Sequence, residues 1–178
     1  GVLPDMFTFS PDGTKVLIAN EGQPKSDYTI DPEGTISIIN VSGGFNTVQQ
    51  SDVTNLNFNA FDSQLVALKA SGLRVFGVNA TVSKDVEPEY ITIADDGLTA
   101  WVTLQENNAV ATINLVTNQI TAITPLGLKD HNLPGNTLDA SDQFSEIFMG
   151  NWPVKGMYMP DEMAQYNVGG TTYLVTAN

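Results

Sequence analysis

The chain has 178 residues, 42% apolar and 15% charged, a balance that suits a globular domain and leaves no run near the roughly 18 to 20 apolar residues needed to span a bilayer. Seven Lys and Arg stand against twenty Asp and Glu, for a net charge of −13, and Arg74 is the single arginine. That disfavours nucleic acid and direct phosphate capture by guanidinium forks, leaves cations as natural partners, and the lack of cysteine removes disulfides, thiolate metal sites and cysteine nucleophiles.

From Pro4, the stretch PDMFTFSPDGTKVLIANEG sets a pattern: Met6 to Phe9 alternates into the turn Pro11-Asp12-Gly13, and Lys15 to Ala19 is a β-rich run. A third strand is predicted at Thr35 to Val41, after the acidic insertion NEGQPKSDYTIDPEG. Strands joined by Asp-Gly punctuation with no helix between them predict an antiparallel meander. Next, AFDSQLVALKAS places Ala60, Phe61, Leu65 and Leu68 near helical spacing and ends at Gly72, which predicts one short helix followed by a strand at Leu73 to Phe76.

At Glu87 the opening pattern returns as EPEYITIADDGLTAWVTLQEN. Tyr90 to Ala94, Thr99 to Leu104, Ala109 to Leu115 and Gln119 to Thr124 predict four strands in about forty residues, the size of one propeller blade. Leu128 to Met159, rich in Asp, Asn, Gly and Pro, reads as a long loop, of the kind that carries function in compact domains. From Pro160 the pattern comes a third time as PDEMAQYNVGGTTYLVTAN, which reaches Asn178 where the first copy runs on into Glu21-Gly22.

Such repeats bury their apolar faces only by stacking on neighbours. The expected fold is therefore all-β: a partial β-propeller of two four-stranded blades and the start of a third, with one short helix and a long inter-blade loop. The divisions are a blade at 4–54, a helix and strand insert at 55–86, a blade at 87–127, the long loop at 128–159 and a truncated blade at 160–178. An open set of blades leaves bare strand edges, so the expected partner is the remainder of the propeller, or another chain, covering them.

Three groups of residues could carry chemistry. Asn20, Glu21, Asp27, Asp31 and Glu33 gather oxygen donors in the acidic insertion, where Gly22 and Gly34 let the backbone turn, and calcium takes such donors. The spacing is not that of an EF-hand loop, and solvated turn residues are the other reading. Asp130 and His131, with Asn132, Asn136, Asp139 and Asp142, form the second group. His131 is the single histidine and could act as a base with Asp130, or simply bond to backbone; Asp139 and Asp142 could share a cation. The third group is Glu87, Glu89 and Glu106 with Asn107 and Asn108 at strand ends of the second repeat, where paired carboxylates can serve acid and base work. Trp101 alternates within a strand and reads as core, whereas Trp152 could pack the long loop or meet a partner.

The combination of PDMFTFSPDGTKVLIANEG, DYTIDPEGTISIINV, AWVTLQENNAVATINL, LGLKDHNLPGNTLDASD and NWPVKGMYMPD resembles the choice-of-anchor I family along nearly the whole chain. The resemblance implies a secreted or surface-anchored β-propeller-like protein, related to the mesenchyme-specific cell surface glycoprotein and often labelled alkaline phosphatase or phytase-like. It implies an extracellular, periplasmic or cell-surface location and a calcium-binding recognition or adhesion role toward a surface ligand. The alternative it implies is a calcium-dependent phosphoesterase, with Ca²⁺ on Glu21, Asp27 and Asp31 and a metal-bound water attacking the phosphoester.

Overall fold

Each of the first two repeats closes into an antiparallel meander because an Asp-Gly turn reverses the chain between alternating strands. The computed structural model describes residues 1–143 and 145–178. Strands β1 (Pro4–Phe9), β2 (Lys15–Asn20), β3 (Thr35–Asn40) and β4 (Val53–Asn57) form one four-stranded sheet in sequential order. Strands β5 (Pro88–Ile93), β6 (Thr99–Leu104), β7 (Ala109–Asn114) and β8 (Gln119–Pro125) form a second sheet in the same order. The turns match in detail: Gly13 and Gly97 adopt φ of 68° and 70°, a region that costs glycine little. Beside them the Thr14 amide donates to Asp12 Oδ1 at 3.0 Å, and the Leu98 amide to Asp96 Oδ1 at 2.9 Å.

Between the sheets, a 3₁₀ turn at Asn59–Gln64 runs into helix α1 (Leu65–Ala70), which buries Phe61 and Leu68 as the helical spacing predicts. A second single turn, α2 (Val82–Asp85), begins where the Thr81 hydroxyl accepts a bond from the Lys84 amide. Leu73–Phe76, expected as a strand, has no ladder partner among the described residues: Leu73 and Val75 are buried, and the Arg74 amide donates to the Asn107 carbonyl at 3.0 Å. Its alternation serves packing beside the second sheet instead of pairing.

The segment expected as one long loop carries two short antiparallel pairs. They are β9 (Leu128–Asp130) with β12 (Lys155–Met157), and β10 (Leu138–Asp139) with β11 (Met149–Gly150). Trp152 stiffens this segment, donating from Nε1 to the Leu138 carbonyl at 2.9 Å and meeting Phe148 edge to face. The third repeat is a hairpin, β13 (Met163–Val168) and β14 (Thr171–Thr176), turning through Gly169 and Gly170 with both φ positive, as a tight two-residue hairpin turn demands.

The core lies mainly between the two sheets and beneath the helical insert, with Leu17, Ile36, Phe58, Val82, Val102 and Ile113 almost wholly buried. Strand β5 packs against both β1 and β13. The third repeat is held by the Thr103 hydroxyl, which donates to the Asp161 carbonyl, and by Gln165 and Asn167, which both donate to the Asp95 carboxylate. Among the described residues no helix is long and apolar enough to cross a membrane.

Candidate functional site

The ends of β2 and β6 meet the start of β5 at a seam between the first two sheets, and this seam collects carboxylates. Gly34 makes the close approach possible: a side-chain methyl there would overlap the Val86 carbonyl, lie 2.6 Å from the Pro88 ring and stand 3.2 Å from the Glu21 carbonyl. The backbone of the first repeat is thereby laid directly against Val86–Pro88. Glu21 at the end of β2 is 9% exposed and Glu87 at the start of β5 only 3%.

The carboxylates of the seam raise one another's pKa. Burial pushes Glu87 up to about 7, helped by the charges of Glu106 and Glu21 and then of Asp85 and Asp31. Glu89 is raised to about 8, first by burial, then by the charge of Glu106 and a hydrogen bond with it, and then by Glu21 and Asp5. Glu21 is also raised, by burial and then by Asp5 and Glu106. The Glu87 and Glu89 carboxyls, held so high, can keep or release a proton near neutral pH. Beside Glu89, the Gln105 amide lies within hydrogen-bond distance of both carboxylate oxygens when turned to donate.

Glu87 and Glu106 line a cavity of about 380 Å³ together with Lys25, Tyr28 and Phe76. Tyr28 and Phe76 meet edge to face, and the Arg74 guanidinium sits over the Phe76 ring at 3.8 Å. Asn107 fixes the position of Glu87. Its Oδ1 accepts from the Glu87 amide at 3.0 Å, and its Nδ2 donates to the carbonyls of Arg74 and Asp85 at 3.0 and 2.7 Å. Asn108 does the same on the other side, donating to the Gly127 carbonyl and accepting from the amides of Tyr158 and Met159. The two asparagines are clamps: one holds the helical insert and the other the long segment against the second sheet.

The residues of the acidic insertion separate. Asn20 is buried and donates to Thr35 and Ser37, while Glu21 joins the seam. Asp27 is exposed, and Thr29 bonds to it and lowers its pKa. Asp31 is raised by burial, a shift opposed by Lys84 and reinforced by Asp85, and Glu33 accepts from Asn59. In the long segment, His131 Nδ1 lies 2.8 Å from the Asn136 carbonyl oxygen and Asp130 Oδ1 accepts from the Asn132 amide. Asp139 accepts from the amides of Ser141 and Phe148, and Asp142 is exposed. Among the described residues no three carboxylate or imidazole groups already surround one point as metal ligands do.

The grouping that the sequence reading missed is Glu21, with Asp5, joined to Glu87, Glu89 and Glu106. The signal was present in the repeats themselves. Superposing Pro4 on Pro88 sets Asp5 against Glu89 and Glu21 against Gln105, next to Glu106, so both repeats carry acids at the same strand ends.

No curated protein matches the chain. The choice-of-anchor I domain matches residues 1–178, and the chain therefore belongs to the choice-of-anchor I family.

Proposed function

We propose that this chain is a secreted or cell-surface recognition and adhesion module, placed in the extracellular, periplasmic or surface compartment, whose Pro-led repeats are successive blades of a β-propeller. The blades are residues 4–54, 87–127 and 160–178, with the helical insert 55–86 and the segment 128–159 between them. Membership of the choice-of-anchor family supports the surface role. The packing of β5 between β1 and β13 supports the blade arrangement.

The observation that carries the reading is exposed apolar residues at both ends of the stack of sheets. Phe7 and Phe9 on β1 are 65% and 46% exposed, and Phe45 beside Phe9 is 68% exposed. On β14, Tyr173 and Val175 are 46% and 54% exposed. Exposed apolar residues grouped on a strand in this way mark an interaction site, and the fitting partner at either end is a further sheet of the same construction, from the remainder of a propeller or from another chain. Calcium belongs to the same reading as a stabilising ion.

The phosphoesterase alternative is favoured by one observation, the raised carboxyl of Glu87 at a cavity, which can exchange its proton near neutral pH. Two measurements decide between the readings: labelling of intact source cells with a membrane-impermeant reagent, and turnover of phosphomonoesters and phytate with and without chelator. The recognition reading expects surface labelling and no turnover. Absence of labelling overturns the surface role, and chelator-sensitive turnover replaces recognition with hydrolysis.

A further inference from the structure

We propose that the two open ends of this chain are complementary, and that the outer face of the first repeat takes the outer face of the third repeat from a second copy, head to tail. The inference rests on the reading of the repeats as stacked blades and names the partner that reading leaves open.

Strand register assigns two faces to each repeat. In the first sheet Phe7 pairs with Ile18 and Phe9 with Val16; at the equivalent places in the second, Ile91 pairs with Val102 and Ile93 with Ala100. Residues opposite one another in antiparallel strands share a face, so these are like faces of two repeats. The other face of the first sheet carries Leu17 and Ala19, both fully buried and in one apolar cluster with Ile91 and Ile93. Strands β1 and β2 both pack against β5. The other face of the second sheet carries Thr103, whose hydroxyl reaches the third repeat at Asp161. Both internal junctions thus run in one sense, with the Ile91-type face of the later repeat on the Leu17-type face of the earlier one.

The third repeat keeps that order. Met163 is buried and Gln165 bonds to Asp95, so their face turns to the second sheet. On the opposite face Ala164 pairs with Val175 and Tyr166 with Tyr173, and the two tyrosine rings stack at 5.3 Å. One face of each kind is therefore left open: Phe7 and Phe9 at one end, and Tyr166, Tyr173 and Val175, all exposed, at the other. A contact already made twice within the chain can form again between copies. Such a heterologous contact closes into a ring or runs on as a filament, according to the rotation between units. Closed propellers hold roughly four to eight blades, and two copies with three repeats each fall in that range, so a two-copy ring is the expected assembly. The net charge of −13 on each copy opposes association. The contact accordingly depends on the apolar faces and gains from screening and from sulfate.

Sedimentation velocity on the full chain, from micromolar to millimolar concentration, tests this. A two-copy species should grow with concentration and strengthen in sodium sulfate. Phe7→Glu and Val175→Glu each place a charge on one end and should each weaken self-association at least about tenfold. Val66→Glu, at an exposed apolar residue of α1, should leave it unchanged. Mixing the Phe7 and Val175 variants should restore a one-to-one complex, because each keeps the face the other has lost. Phe45→Ser, beside Phe9, supplies the same loss should Phe7→Glu fail to fold. A chain that stays monomeric at millimolar concentration overturns the inference and leaves the surface role to the labelling experiment, which decides it separately. Association that sulfate weakens, that Val175→Glu spares, or that the mixed variants fail to restore overturns it as well.

Discussion

The two four-stranded sheets share strand order, turn chemistry and alternation, yet they differ in what covers them. Ile91 and Ile93 on β5 are 2% and 9% exposed, whereas Phe7 and Phe9, at the matching positions of β1, are 65% and 46% exposed. The same holds one strand further in: Ala100 and Val102 are fully buried, while their counterparts Val16 and Ile18 are only half-buried. The second sheet lies between the first sheet and the third repeat; among the described residues the first sheet has a neighbouring sheet on one face only. Burial here is set by stacking and not by the pattern within a repeat, which is the behaviour of a quasi-one-dimensional array.

The contrast can be broken most forcefully at Ile91. Truncation of Ile91 to Ala should cost about 2–5 kcal/mol, because it opens a cavity in a face covered on both sides. Urea melts read this as a fall in midpoint with unchanged slope. An Ile91→Ala variant as stable as the parent would show that β5 is not sandwiched.

The asparagine clamp comes next. Asn107→Ala strips partners from the Glu87 amide and from the carbonyls of Arg74 and Asp85, and should cost about 1–3 kcal/mol for each group left dry. It should also free the insert, so that proteolysis near Arg74 quickens more than proteolysis in β7. The smallest effect belongs to the open face: Phe7→Ala should change stability by no more than about 0.5 kcal/mol in the isolated chain. A large loss there would mean that the Phe7 face is already covered in solution.

Much of this architecture was legible in the residues. The Asp-Gly turns at Gly13 and Gly97, the four strands after Glu87 and the short helix before Gly72 each rest on local chemistry that the structure reproduces. What escaped was non-local. Leu73–Phe76 alternates like a strand, but its Arg74 amide bonds to the Asn107 carbonyl in a turn and not to a strand ladder. The pairing of β9 with β12 joins residues far apart in a segment whose composition reads as loop. Glu21 reads naturally with its sequence neighbours Asp27 and Asp31, and only the approach at Gly34 shows that its company is Glu87, Glu89 and Glu106. Spacing along a chain reports one element at a time, whereas this site is built across a seam.

The central claim is that the protection of each repeat follows how many of its faces a neighbour covers, and native-state amide hydrogen exchange tests it most directly, strand by strand. Amides of β6 and β7 in the covered sheet should exchange only through global unfolding, while those of β14 should exchange through local opening, faster by at least about a hundredfold. Uniform protection across both sheets and the β13–β14 hairpin would contradict the account, because the chain would then be a single cooperative unit that needs no further neighbour.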